Sequence, residues 1–151
     1  MTNLDIPSVH TIREEFNEYD LDDGNILRAK QILIVFHLSD QIKQDAQGNK
    51  MADFQVAFKQ VVGAVPSGKV DTSVLLPYDG SHIEKSSFLK KVEFKERISY
   101  VNIYETRDFF LFVKNAVTEV WMTKYKDANN VPIYHVEGNA KLTVKPKSEF
   151  S

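Results

Sequence analysis

The chain of 151 residues reads as an all-β protein, mainly antiparallel, folded as a sandwich or barrel with at most a short helix. Three observations predict this. Apolar and polar residues alternate in short runs, as in Phe54, Val56 and Phe58 against Gln55, Ala57 and Lys59, the period of a strand with one buried face. Turn signals such as Asp23-Gly24, Gln47-Gly48-Asn49 and Asp79-Gly80 separate these runs, and each supplies the φ > 0 or side-chain capping that a tight turn needs. The apolar stretches are too short for confident helices.

The first hairpin lies between Phe16, Tyr19 and Leu21 on one side and the apolar run from Ile26 on the other, with Asp23-Gly24 at its tip. A helix over residues 12–35 competes, with Ile12, Phe16 and Tyr19 at helical spacing, but Gly24 and Asn25 in its middle oppose it. Residues 31–38, rich in Ile, Val, Leu and Phe, suit a central strand buried on both faces. Residues 39–50 are polar and turn-like, and a strand follows from Phe54 to about Val65, where Pro66-Ser67-Gly68 ends it.

Residues 67–87 form the long connection. Ser86 could cap a short helix through Leu89 to Val92, while a strand over 92–98 competes for the same residues; the pattern leaves both open. Beyond it, residues 100–104 and 109–113 flank the polar Glu105-Thr106-Arg107-Asp108 as strand, turn and strand, and residues 117–123 continue the second of these. Residues 126–132 are turn-like; 133–136 and 140–144 alternate, with Gly138 as a bulge between them. The basic C-terminus reads as a frayed tail.

The order of these elements repeats. Adding 84 to residue numbers puts Arg97 on Arg13, Tyr100 on Phe16, Leu111 on Leu27 and Lys114 on Lys30; adding 80 puts Tyr134 on Phe54 and Pro146 on Pro66. The expectation is an internal duplication of 12–66 and 96–146, joined by 67–91, within one domain spanning 1–151. It predicts two similar four-stranded units sharing one core.

Composition narrows the function classes. Hydrophobic residues at 42% and charged residues at 26% describe an ordinary globular chain. The longest apolar stretch, 32–36, is far below the roughly 20 residues of a membrane-spanning helix, and the first ten residues carry no signal-peptide pattern. The absence of cysteine removes disulfides and thiolate chemistry and agrees with a cytoplasmic location. A net charge of −2 gives no whole-chain attraction to nucleic acid or anionic lipid.

Charge is nevertheless segregated. Asp5, Glu14, Glu15, Glu18, Asp20, Asp22 and Asp23 stand against Arg13 alone, and Lys85, Lys90, Lys91, Lys95 and Arg97 outnumber Glu93 and Glu96. These are either solvated strand faces or two surfaces that dock on one another, within or between subunits.

The segment Tyr19-Asp20-Leu21-Asp22-Asp23-Gly24-Asn25-Ile26-Leu27-Arg28-Ala29-Lys30 resembles one recurring in small uncharacterised archaeal proteins. The resemblance implies a cytoplasmic β protein and supplies no activity, cofactor or catalytic residue.

Chemical motifs are sparse. Asp20, Asp22 and Asp23 before Gly24 lack the alternating ligand spacing and the later glutamate of a calcium loop, so they read as a turn. His10, His37, His82 and His135 never approach metal-pair spacing; His37 and His135 read as core or interface histidines. Tyr78-Asp79-Gly80-Ser81-His82 gathers an acid, a hydroxyl and an imidazole in one loop, but neighbours in a turn rarely align as a triad. No phosphate loop, nucleophile elbow or zinc-protease motif occurs. No cofactor, metal ligand or catalytic residue is therefore assigned.

The candidate binding residues are Lys85, Lys90, Lys91, Phe94, Lys95, Arg97 and Tyr100, because interleaved basic and aromatic side chains combine phosphate neutralisation with base stacking. The same alternation describes an ordinary amphipathic strand. Phe109, Phe110, Phe112 and Trp121 read as core or subunit-interface aromatics. The leading expectation is a non-catalytic domain that self-associates or binds a protein partner. A single-stranded nucleic-acid module is the alternative, and a small hydrolase or metal-dependent enzyme using His82 or His135 the third.

Overall fold

Hydrogen-bonding along alternating runs produces strands β1 (His10–Arg13), β2 (Asn17–Leu21), β3 (Ile26–Gln44), β4 (Lys50–Val65), β5 (Leu76–Pro77), β6 (Phe88–Lys91), β7 (Phe94–Ile98), β8 (Val101–Glu105), β9 (Phe109–Lys126) and β10 (Pro132–Pro146). The structure, a computed structural model, describes residues 9–44 and 50–150. Among them the strands form two sheets. One runs β1-β8-β9-β10, with β5 and β6 also on β9; the other runs β4-β3-β2-β7. Every pairing is antiparallel except the two-residue β5 on β9. The predicted all-β class holds, as two sheets without a closed barrel.

The first hairpin turns where expected. Gly24 takes φ 94°, the Asn25 amide donates to Asp23 Oδ1 at 2.9 Å, and the Leu21 amide donates to the Asn25 carbonyl. Strands β3 and β4 are longer than their apolar runs, since the polar residues 39–44 continue the ladder; the Gln47-Gly48-Asn49 turn lies outside the described residues. Residues 31–38 are not buried on both faces, because only one face of this sheet meets a second layer. Phe36 is 3% exposed, yet Ile34 is 58% and Val35 46% exposed.

The helix at 89–92 does not form. A 3₁₀ turn at Lys85–Ser87 leads into β6, whose register on the edge of β9 sets Phe88 against Thr123 and Lys91 against Trp121. The C-terminus is not frayed at its start: the Lys147 amide donates to the Asp108 carbonyl, and its ammonium lies 3.0 Å from Glu105.

The two halves carry one pattern of strand pairing. Each β3–β4 pair from Ile26↔Val65 to Ile42↔Ala52 recurs in β9–β10 after adding 84 to the first residue and 80 to the second. Leu27↔Ala64 becomes Leu111↔Val144, and Val35↔Ala57 becomes Glu119↔Glu137. The bulge recurs too, at Ile34 and at Thr118. On the first two strands of each half the matching offset is 85, so Tyr19↔Leu27 corresponds to Tyr104↔Leu111. The sequence offset of 84 is one residue out there, because the 22–25 turn is one residue longer than the 106–108 turn.

The first strands are exchanged. β1 pairs with β8 of the other half, and β7, its counterpart, pairs with β2. Swapping the halves therefore maps one sheet onto the other. Buried Asn17 and Asn102 secure the exchange reciprocally: Asn17 Oδ1 accepts from the Tyr100 amide at 2.9 Å, and Asn102 Oδ1 accepts from the Glu15 amide at 2.9 Å. Each buried asparagine thereby gives a backbone amide of the connection before its strand an acceptor.

Two apolar clusters fill the interior. The first gathers Tyr19, Leu21, Leu27, Ala29, Val92, Val120, Met122, Tyr134 and Val136; the second gathers Phe36, Tyr104, Leu111 and Val113. The first draws Tyr19, Leu21, Leu27 and Ala29 from one half and Val120, Met122, Tyr134 and Val136 from the other, and the second sets Phe36 of the first half against Tyr104, Leu111 and Val113 of the second, so neither half buries its core alone.

Candidate functional site

Because the halves share a backbone, equivalent surfaces can be compared residue by residue. On the face of β9–β10 away from the core, Glu119 stands opposite Glu137 and Trp121 opposite His135. The 3₁₀ turn and β6 lean over them. Phe88 stacks on Trp121 with ring centroids 5.5 Å apart and on His135 at 4.7 Å. Lys85, Phe88, Glu119, Trp121 and Glu137 line a cleft of about 480 Å³, within the size range of small-molecule sites.

Its electrostatics are set by the facing glutamates. Glu119 is held below the ordinary carboxylate range, first by a hydrogen bond from Glu137, then by one from Lys91, whose Nζ lies 3.4 Å away. His135 Nε2 lies 3.4 Å from Glu137 Oε1.

The equivalent positions on β3–β4 are Val35 opposite Ala57 and His37 opposite Gln55. Among the described residues, β6 has no counterpart here. β9 is flanked on this edge by β8, β6 and β5 along 110–126, whereas β2 covers β3 only from Ile26 to Ala29, and no other described strand pairs beyond it. Ile34 and Val35 on β3 and Val56 on the paired β4 are exposed.

The sequence-selected binding residues are divided between the two sheets. Lys85 lines the cleft, Lys90 is exposed on β6, and Lys91 pairs with Glu119. Phe94 packs on the first core cluster, edge-on to Tyr19 at 5.7 Å. Lys95 stands opposite Asp20, and Arg97 lies 3.6 Å from Asp20 and 4.0 Å from Glu18. Tyr100 has the Arg13 guanidinium 5.5 Å from its ring centre. The acidic and basic segments thus meet within the chain, where β2 pairs with β7.

The other motifs resolve as local structure. Asp23 Oδ2 accepts from the Tyr134 hydroxyl, so that carboxylate anchors a turn. Asp79 Oδ1 accepts from the Ser81 amide at 2.9 Å, closing the loop before exposed His82. His37 is exposed rather than a core histidine, and His135 is half-buried under Phe88. Phe110 and Phe112 are half-buried beneath Lys147 and Lys145. Among the described residues, no three His, Cys, Asp or Glu side chains gather to hold a metal, and no helix is long and apolar enough to cross a membrane.

Sequence reasoning overlooked Glu119 and Glu137. Their signal was the alternation Glu119-x-Trp121 and His135-x-Glu137 about buried Val120 and Val136, which puts all four on one face. No protein-family model, curated protein or solved structure matches the chain.

Proposed function

We propose that this chain is a non-catalytic assembly domain, cytoplasmic in setting, that pairs with a second copy of itself along the open edge of β3. The observation carrying the reading is the difference between two equivalent edges: β9 is covered by β6 at Trp121–Thr123, and β3 has no described strand at the matching positions 37–39. Edge strands are normally guarded by lysine, proline or a covering element. Residues 31–38 contain no charge and no proline, so antiparallel pairing of two such edges brings no like charges together. The bulge at Ile34 is no obstacle, since β6 pairs with β9 just beyond the equivalent bulge. The shared register also supports descent of both halves from one duplicated unit. A single-stranded nucleic-acid module has less support, because Phe94 packs inward and Arg97 is engaged by Glu18 and Asp20.

Light scattering after size exclusion tests the assembly. The parent chain is expected to form a discrete dimer and Val35→Lys a monomer with unchanged circular dichroism. A parent that stays monomeric at high concentration refutes the reading. Association appearing only once residues 1–8 are removed also refutes it, because that segment would then be the cover.

A further inference from the structure

The cleft beside β6 departs from the internal symmetry in a way the fold does not require. At the positions of Glu119 and Glu137 the first half carries Val35 and Ala57 on the same backbone, in the same register and after the same bulge. Two glutamates directly opposite one another repel, and here Lys91 and His135 stand 3.4 Å from them to offset that charge; an arrangement of this kind, which the equivalent strand pair does without, points to a task other than folding. The pair is also walled by an aromatic stack, Trp121 with Phe88. Facing carboxylates beside an indole attract a cation twice over, by charge and through the ring's negative face.

We propose that this cleft binds a small organic ammonium ion, seated between Glu119 and Glu137 with its alkyl surface against Trp121 and Phe88. Lys91 and His135 hold the rim, each beside one of the carboxylates at 3.4 Å. Lys91 is half exposed, and a surface pair of that kind is weak enough to yield to a cation that contacts both carboxylates. Lys85 lines the entrance and sets an upper limit on ligand charge, favouring a monovalent ion over a polyamine. The inference is independent of the β3 edge.

Trp121 is the sole tryptophan of the chain, so its fluorescence reports the cleft directly. Tetramethylammonium chloride is expected to change that fluorescence saturably, where sodium chloride at equal concentration does not. Replacing both glutamates by the residues of the first half, Glu119→Val with Glu137→Ala, keeps the fold by circular dichroism and weakens tetramethylammonium binding about tenfold or more, the loss expected when an aromatic wall alone remains. No saturable response in the parent overturns the proposal, as does a response that survives unchanged in the double variant. A response to neutral methyl glucoside but not to tetramethylammonium overturns it in favour of a sugar platform.

Discussion

The β3–β4 and β9–β10 hairpins share their register to the residue and differ in what they present to solvent. The second is roofed by β6 and carries Glu119, Trp121, His135 and Glu137; the first has no described strand on β3 beyond Ala29 on that side and carries Val35, His37, Gln55 and Ala57. A backbone that accepts both sets constrains neither, so these outer positions report use rather than folding. The inner positions behave oppositely. Leu27 and Leu111 are both fully buried, and Tyr19 and Tyr104 differ by one percentage point in exposure, at 2% and 1%.

If the interior equivalence is energetic as well as geometric, Leu27→Ala and Leu111→Ala should each cost about 2–5 kcal/mol in chemical denaturation, the range for truncating a buried leucine. A large difference between them would show that one half folds more firmly than the other and would break the comparison at its strongest point. Asn17→Ala and Asn102→Ala should each cost about 1–3 kcal/mol, because each removes a fully buried side chain and the acceptor it gives a backbone amide of the exchanged connection. Were either variant as stable as the parent, water would be reaching that amide, and the exchanged first strands would not depend on these side chains.

The smallest effect lies in the alkaline limb. Burial raises the Tyr19 hydroxyl above its ordinary value of 10.0, and burial with a hydrogen bond to Glu14 or Asp23 raises Tyr104 and Tyr134 further. Their folded pKa values exceed the unfolded ones, so the native state holds these protons while the unfolded chain releases them. The stabilisation they add is complete below pH 10 and declines as pH rises beyond it. Tyrosinate absorbance should show these three ionising late, together with unfolding; Tyr104→Phe should shift the alkaline midpoint less than Tyr134→Phe, which also removes the acceptor of Asn25 Nδ2. The reverse order would mean that the Asn25 contact adds nothing.

Much of the fold was legible because strand and turn signals are local. The Asp23-Gly24 turn and the 105–108 turn occur where their residues place them, whereas the bulge expected at Gly138 lies on the partner strand, with Thr118 as its extra residue. At Gly138 the constraint is spatial: a Cβ would stand 2.6 Å from the Ala116 carbonyl oxygen, whereas Phe58, its counterpart, packs a ring on the second core cluster. The errors came where context overrides propensity. Leu89 to Val92 could cap and coil, but an unpaired edge of β9 offers that backbone a ladder, and the helix is lost to it. Polar residues 39–44 read as loop, yet they extend β3 because their partners across the hairpin are already in register.

The candidate site was harder to read. The interleaved basic and aromatic residues from Lys85 to Tyr100 are continuous in sequence, but Val92-Glu93 carries the chain from one sheet to the other, so Lys91 and Lys95 belong to different sheets. Trp121, read as a core or subunit-interface aromatic, faces away from the core, since the bulge at Thr118 rephases the strand before Val120 and Met122 turn inward. A bulge of one residue exchanges the faces of a strand, and periodicity alone cannot locate it.

By itself the sequence determined the all-β class, the principal turns and the repeated order of strands, because these depend on side-chain periodicity and backbone preferences a few residues wide. Only the tertiary structure decided that the first strands exchange between halves, that acidic β2 meets basic β7, and that β6 roofs the β9–β10 hairpin. Each of those outcomes is a pairing between segments far apart in the chain, selected by which edges and apolar faces remain to be covered once the local elements have formed.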